Sequence, residues 1–218
     1  MKPRRSNQTN QALTLIEALI VIAMLFVLAC LLLPSLAGSR RSPRISCVNN
    51  LHQIGLTYRV WANDNNGEFP MEVSVTNGGS KEFVAAGKNA WLNYLVMSNE
   101  LSTPKILICP ADTDRLPPAT NFSTELVGKI SYFVGLDAKL TYPQMFLSGD
   151  DNFEVSGIPV KSGLLQLSTN APISWTATRH KFNGNISLAD GSVQQLSSNE
   201  LHQAIEESSF ATNRLAIP

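Results

Sequence analysis

The feature that most constrains this chain is an apolar run of 24 residues over 13–36, near its N-terminus. Glu17 is the only charged residue inside it. As an α-helix the run would extend about 36 Å, at about 1.5 Å per residue, which exceeds the ~30 Å hydrocarbon core of a bilayer. The sequence therefore predicts a transmembrane helix. The presence of Glu17 in such a helix then requires an explanation, because a charge in mid-bilayer costs about 2.5–3.5 kcal/mol.

Basic residues flank the run on both sides, so the positive-inside rule does not decide its orientation. The N-terminal group is Lys2, Arg4 and Arg5, and the C-terminal group is Arg40, Arg41 and Arg44. Without the N-terminal three, 14 basic residues face 17 acidic ones, a net charge of −3. No basic stripe interleaves with aromatic residues, so nucleic-acid binding is not indicated.

Three common types of N-terminal apolar segment remain possible for this run. A secretory signal has a shorter apolar core and a small-residue cleavage site, for which the sequence offers only Ser-Leu-Ala at 35–37. A lipoprotein signal would use residues 27–30 and would leave apolar residues directly after a lipidated Cys30. An uncleaved anchor is the third. None of the three gives Glu17 a role.

Beyond the run, the pattern changes to an amphipathic helix. Ser42 fits an N-cap and Pro43 a first helical position. Apolar residues then recur at spacings of 4, 3, 4 and 3, which places them on one helical face. They are Cys47, Leu51, Ile54, Tyr58 and Trp61. We expect this face to pack against a sheet.

The remaining segments indicate short strands and helices. Strands are predicted at 105–109, 130–136 and 173–178, and a short helix at 89–97. Strands at 185–189 and 192–196 flank Asp190-Gly191, a hairpin turn signal. Ser197 and Glu200 form a capping-box pattern for a last helix near 199–208. Segments 73–88 and 137–166 have no assignment from their pattern.

The N-terminus resembles that of type IV prepilins and type II secretion pseudopilins, on a basic leader followed by LTLIEALIVIAMLFVLACLLLP. The resemblance implies that prepilin peptidase removes residues 1–12 by cutting between Ala12 and Leu13, and that Leu13 is then N-methylated. Family members usually have Gly before the cut and Phe after it. Glu17 would pair with the new ammonium group of a neighbouring subunit and fix its register. Pro34 falls where many pilins bend the stem helix.

Motifs farther along resemble pilin-like proteins with a C-terminal His-x9-Asp-Gly domain, known from planctomycetes and verrucomicrobia. The motif residues are His180, Asp190 and Gly191, and shorter matches begin at Ile45, Asp64, Cys109 and Ser131. The expected fold class is α+β. A long N-terminal transmembrane stem, interrupted near Gly38 and Pro43, would pack on an antiparallel head. The expected divisions are a leader at 1–12, an assembly helix at 13–36, its continuation at 37–62 and a head at 63–218.

The resemblance implies a structural, non-catalytic subunit of a pseudopilus or type IV-like pilus. Expected partners are prepilin peptidase, other pilin subunits, an assembly platform and the lipid bilayer. The chain would be a single-pass inner-membrane protein with a periplasmic head. The alternative is a membrane-anchored envelope enzyme or binding protein that uses the helix only as a tether. It should show a polar pocket near His180, Asp112 or Asp190.

Candidate sites in the head are few. Cys47 and Cys109 could form a disulfide that ties the helix to the sheet, or remain buried free thiols. No cofactor is expected, apart from calcium at Asp112 and Asp114 or at the acids 150, 151 and 154, where no full calcium loop is present. Asp190-Gly191 is read first as a hairpin turn, because Gly accepts a positive φ.

Overall fold

A computed structural model describes residues 14–36, 43–87, 89–208 and 211–218. The chain divides into two compact units, with the boundary between Arg41 and Ser42. The first unit contains helix α1, Leu15–Leu36. The second contains everything from helix α2, Pro43–Asp64, onward. Helix α2 therefore belongs to the same compact unit as the head.

Helix α1 begins with a reciprocal capping box. The Thr14 hydroxyl and backbone N–H both donate to Glu17 Oε2, at 2.8 and 2.9 Å, and the Glu17 N–H donates back to the Thr14 hydroxyl. This exchange satisfies backbone donors that the first helical turn leaves unpaired. Glu17 thus has a local structural role that its position in the apolar run did not reveal.

The predicted transmembrane stem over 13–36 is corrected by the structure. A membrane span needs about 20 consecutive apolar residues in one helix. No helix in the described part of the chain is both long and apolar enough to qualify. The helix itself is present, and Pro34 lies within its bounds. The predicted interruption near Gly38 falls on residues 37–42, outside those described.

The head is α+β, and its strand pairs are antiparallel, as predicted. Six strands form the larger sheet in the order β5-β9-β1-β2-β7-β8, and three form a smaller sheet in the order β4-β3-β6. Their bounds are β1 Tyr132–Gly135, β2 Phe146–Asp150, β3 Phe153–Val155, β4 Ile158–Pro159, β5 Gly163–Ser168, β6 Ile173–Trp175, β7 Asn183–Leu188, β8 Val193–Ser197 and β9 Thr212–Ile217.

Both faces of the larger sheet are covered. Successive side chains of a strand point to opposite faces. Accordingly, Tyr132 and Val134 of β1 join the apolar core that includes α2, whereas Phe133 joins a second core beneath the smaller sheet. The five residues predicted to share one face of α2 are all buried. That prediction is confirmed, and α2 contacts β2, β7 and β8.

Short helices complete the head. They are α3 Lys81–Val84, α4 Ala90–Val96, α5 Ser98–Leu101 and α6 Ser198–Glu207, with 3-10 turns at Val75–Asn77, Pro104–Leu107, Thr113–Arg115 and Thr124–Leu126. The predicted strand at 105–109 is wrong. Thr103 accepts a hydrogen bond from the Lys105 N–H and Pro104 occupies the first turn, which favours a helical start. The predicted hairpin and the capping box of α6 are confirmed.

Candidate functional site

The sites predicted at the N-terminus are only partly described. Ala12 and Leu13, the expected cleavage position, lie outside the described residues. Glu17 is exposed in the first turn of α1. The apolar side chains of α1 that the structure describes are exposed as well, among them Leu15 at 84% and Phe26 at 70%. An exposed apolar surface of this kind is typical of an interaction site.

Inside the head, the structure brings the two predicted cysteines together with two further groups. Cys47 Sγ lies 3.1 Å from Asp150 Oδ1, and Cys109 Sγ lies 3.3 Å from His180 Nε2. His180 Nε2 lies 3.5 Å from Asp150 Oδ2. The four ligand atoms all lie within 4.8 Å of one another, and all four residues are buried. This group, which we call the inner cluster, could hold a metal ion.

Four separate segments supply the inner cluster. Cys47 comes from the buried face of α2, and Asp150 is the last residue of β2. Cys109 follows the 3-10 turn at 104–107, and His180 lies in the loop before β7. The side chains meet because α2 packs on β2 and β7. A ligand held by the inner cluster would therefore join α2, the sheet and two loops.

The loop that carries His180 has a strained backbone. Arg179, Lys181 and Phe182 have φ values of 64°, 53° and 60°. Side chains with a Cβ rarely adopt these left-handed conformations, which cost about 1–3 kcal/mol each and persist where surrounding contacts enforce them. The loop is thus held in a shape that directs His180 inward and Arg179 to a neighbouring ion-pair cluster.

Burial and mutual charge set the titration of the inner cluster. Burial, together with the neighbouring Cys109, raises the pKa of Asp150 to about 6. Burial also raises the pKa of Cys47. The hydrogen bond with Cys47 lowers the pKa of Cys109, and His180 lowers it further. Burial opposes the charged form of His180, but Cys109 and Asp150 outweigh it and raise the pKa of His180.

Two side chains hold the inner cluster in place. The Asn185 backbone N–H and side-chain amide both donate to Asp150 Oδ2, at 2.9 and 2.7 Å. The same amide approaches Cys47 Sγ at 3.5 Å, and the Tyr132 hydroxyl donates to that sulfur at 3.3 Å. Asn185 and Tyr132 are fully buried. The orientation of Asp150 and Cys47 is therefore fixed by groups from β7 and β1.

A second group of charges, the outer cluster, consists of two acids and two arginines. Arg179 binds Asp112 at 2.8 Å and Asp151 at 2.6 Å, and Arg115 binds the same acids at 3.2 and 2.8 Å. Ser131 also donates to Asp112 at 2.7 Å. Burial opposes the charge of Arg179, but Asp151 and Asp112 outweigh it and raise the pKa of Arg179.

The same segments supply both clusters. Asp150 joins the inner cluster while the adjacent Asp151 joins the outer one, and His180 and Arg179 divide in the same way. Cys109 is inner, and Asp112 lies one turn further on in the outer cluster. The ion pairs of the outer cluster therefore help to position the segments that carry three of the four inner groups.

The outer cluster borders an open cleft of about 660 Å³. Its lining includes Asp112, Asp114, Arg115, Asp151, Glu154 and Arg179. The calcium predicted for Asp112 and Asp114 meets a physical obstacle here, because two guanidinium groups already neutralise Asp112. Asp114 is exposed. The metal-capable group identified in the described residues is the inner cluster instead.

The residues of the predicted His-x9-Asp-Gly motif lie in two different places. Asp190-Gly191 forms the turn between β7 and β8, where Gly191 has a φ of 85° and the Asp190 carboxylate accepts from the N–H and hydroxyl of Ser192. Helix α2 contacts this turn, because Arg59 donates to the Asp190 carbonyl. His180 instead belongs to the inner cluster. The motif residues therefore contact other parts of the head at two places: Asp190 contacts α2 through Arg59, and His180 contacts the other residues of the inner cluster.

Sequence reasoning placed both cysteines in the core but did not assign His180 and Asp150 to them. In the structure Cys47 and Cys109 are free thiols, and their predicted disulfide stays a prediction. The signal that could have connected the four residues is chemical. Two thiols, an imidazole and a carboxylate in short buried segments are all metal-ligand types. Their sequence separations follow no familiar motif.

Comparisons with protein-family models, with curated proteins and with solved structures find no match to this chain. The resemblance to pilin-like proteins therefore rests on the sequence motifs alone and stays a prediction.

Proposed function

We propose that this chain is a pilin-like structural subunit that assembles with other copies of itself, or with related subunits, through helix α1. The observation that carries the proposal is the exposed apolar surface of α1. Between Leu15 and Leu28, eleven large apolar side chains are at least 50% exposed. Burying such side chains contributes about 25 cal/mol per Å², so packing of α1 against other helices would be strongly favourable.

In the proposed assembly, Glu17 would fix the axial position of each subunit relative to its neighbour. Removal of residues 1–12 would create an ammonium group at Leu13, four residues before Glu17 in the sequence. In a water-poor filament core, this ammonium could pair with Glu17 of a neighbouring subunit, which is the best-attested use of a buried ion pair. The capping box supports the arrangement, because it holds the Glu17 carboxylate at the helix N-terminus.

The proposal places the head outside the filament core, in the cell envelope or beyond it. The partners it requires are a prepilin peptidase, other pilin or pseudopilin subunits and an assembly platform. It assigns no catalytic activity to the head. Calcium is not part of it, because Asp112 is engaged with Arg115 and Arg179.

Mass spectrometry of the chain purified from its native cells tests the processing step. The expected product begins at Leu13 and carries one additional methyl group. The control is the same chain produced in cells without prepilin peptidase, which should retain Met1 and the leader. A chain from native cells that keeps residues 1–12, or that begins elsewhere, contradicts the proposal.

A second candidate function is a binding head that uses α1 only as a tether. The cleft beside the outer cluster favours it, because paired acids and arginines offer hydrogen bonds to a polar ligand. This candidate predicts that substitutions of Glu17 leave the function of the protein unchanged. It also predicts that a small polar ligand raises the melting temperature of the chain. Arg115→Ala, at the half-buried rim, should abolish that increase. Screening of polar metabolites by thermal shift distinguishes the two functions.

A further inference from the structure

We propose that Cys47, Cys109, Asp150 and His180 bind one zinc ion in a closed, structural site that fastens α2 to the sheet. This inference is independent of the function proposed for α1. It rests on the inner cluster alone, and its test measures the head rather than filament assembly.

The ligand types indicate zinc. Thiolate and imidazole are preferred ligands of borderline and soft metals, whereas calcium and magnesium take oxygen ligands. Two cysteines, one histidine and one aspartate supply the four donors that tetrahedral zinc requires. The same set would suit Co²⁺, which can therefore serve as a spectroscopic probe.

The spacing of the donors agrees with a tetrahedral site. Bond lengths of about 2.0 Å for oxygen and nitrogen and 2.3 Å for sulfur place neighbouring ligand atoms roughly 3.3–3.8 Å apart. The separations in the inner cluster are 3.1 Å from Cys47 Sγ to Asp150, 3.3 Å from Cys109 Sγ to His180 and 3.5 Å from His180 to Asp150. The four donor atoms all lie within 4.8 Å of one another, so shifts of up to about 1 Å would bring every pair to the separations of a tetrahedral site.

Burial identifies the site as structural. Cys47, Cys109 and Asp150 are 0% exposed, and His180 is 6% exposed. A catalytic zinc has three protein ligands and an open position for water or substrate, whereas a structural zinc has four protein ligands. Four converging donors with almost no access to solvent match the second description.

Charge balance in the metal-bound state suits a divalent cation. Metal binding deprotonates cysteine ligands, so two thiolates and a carboxylate would then carry a charge of about −3 in a buried site, where uncompensated charge is very costly. A divalent cation removes most of that charge. Arg179 interacts with Asp150 as well, but it also binds Asp112 and Asp151.

The surrounding groups match the supporting shell of a metal site. Ligating carboxylates are usually held by hydrogen bonds from neighbouring residues, and Asp150 accepts two from Asn185. Cys47 Sγ accepts from Tyr132 and is approached by Asn185. A disulfide between the cysteines would leave these donors facing a weak acceptor.

The test uses the full chain, without a histidine tag, purified in its reduced form in a mild detergent. Elemental analysis should find one zinc per chain. After removal of zinc with a chelator, titration with Co²⁺ should produce the ligand-field and thiolate charge-transfer bands of a tetrahedral site, saturating at one equivalent. Zn²⁺ should raise the melting temperature of the metal-free chain, and Ca²⁺ should not.

Variants locate the site. Cys47→Ser/Cys109→Ser should abolish the thiolate bands, and Asn185→Ala should weaken Co²⁺ binding about 10–100-fold, as for other supporting residues. The matched controls, Cys30→Ser and Asp114→Asn, alter an exposed cysteine and an exposed acid and should bind as the parent chain does.

Two results would overturn the proposal. The first is a reduced, folded parent chain that contains no zinc and gives no thiolate–Co²⁺ bands. The second is a Cys47–Cys109 disulfide in the chain as isolated from its cells. Because both are measured on the parent chain, the proposal remains testable even if the double serine variant does not fold.

Discussion

Helix α1 and the head distribute their side chains in opposite ways. In α1, apolar side chains such as Leu25 and Phe26 are exposed. In the head, ionisable side chains such as Asp150 and His180 are buried. Each region thus carries groups that ordinary folding would place elsewhere. This difference underlies both proposals: that other protein chains cover the apolar side chains of α1, and that a metal ion joins the ion pairs that compensate the buried charges of the head.

A capping box begins a helix in each of the two regions, but the two boxes have different roles. Thr14 and Glu17 cap α1, and Ser197 and Glu200 cap α6 in the same reciprocal way. Helix α6 packs against β6 and β8, so its cap stabilises the folded head. The cap of α1 lies in the other compact unit. Substitutions at the matched positions Thr14 and Ser197 therefore distinguish a cap that stabilises the head from one that does not.

The largest expected effect is the loss of Arg179 from the outer cluster. Its side chain is 10% exposed and binds Asp112 and Asp151. Arg179→Met would leave two buried carboxylates with Arg115 alone, and breaking a buried ion pair costs about 3–5 kcal/mol. Urea denaturation should show a loss of that size in the free energy of unfolding of the head.

The control for this prediction is Lys129→Met, which removes a half-exposed ion pair with Glu125. Exposed pairs contribute about 0–1 kcal/mol. Equal losses for both variants would show that the outer cluster does not stabilise the head as the structure indicates.

The next effect compares two leucines of two helices. Leu51 of α2 is fully buried, and Leu25 of α1 is 60% exposed. Leu51→Ala should destabilise the head by about 2–5 kcal/mol, and Leu25→Ala should change its stability by less than about 0.5 kcal/mol. Calorimetry of the unassembled chain measures both. A substantial loss for Leu25→Ala would mean that α1 stabilises the head, contrary to the comparison.

The smallest effect concerns the two caps. Ser197→Ala should cost about 1 kcal/mol of head stability, because it removes the acceptor for the Glu200 N–H. Thr14→Ala removes the matching group of α1 and should leave head unfolding unchanged. Denaturation curves that shift equally for the two variants would argue against separate roles.

Local sequence patterns predicted much of the head but little of its candidate site. The face of α2, the hairpin at Asp190-Gly191 and the cap of α6 depend on neighbouring residues, so periodicity and turn chemistry were sufficient. Segment 137–166 had no assignment, yet it contains β2 to β4 and the start of β5. Strand β2 is buried on both faces, and β3 and β4 have only three and two residues, so none of these three strands has an alternating pattern long enough to recognise.

The inner cluster depends on contacts between distant segments. Cys47 and Asp150 are 103 residues apart, and Cys109 and His180 are 71 apart. The packing of α2 on the sheet brings Cys47 to Asp150, and the ion pairs of Arg179 with Asp112 and Asp151 help to bring the loops of Cys109 and His180 to them. The strand predicted at 105–109 was wrong for a related reason, since its apolar residues are buried in a 3-10 turn beside α2 rather than in a sheet. Burial alone does not distinguish these conformations.

The central claim, that α1 assembles subunits through a charge at Glu17, is tested most directly by the filament yield of Glu17→Gln beside that of Thr14→Ala. Glutamine can still serve in a capping box but carries no negative charge, so it cannot form an ion pair with an ammonium group. Loss of a buried ion pair costs about 3–5 kcal/mol, so the account predicts that Glu17→Gln lowers assembly more than about a hundredfold, while Thr14→Ala assembles nearly normally. Normal filaments from Glu17→Gln would contradict the claim, and a defect confined to Thr14→Ala would reduce Glu17 to a helix cap.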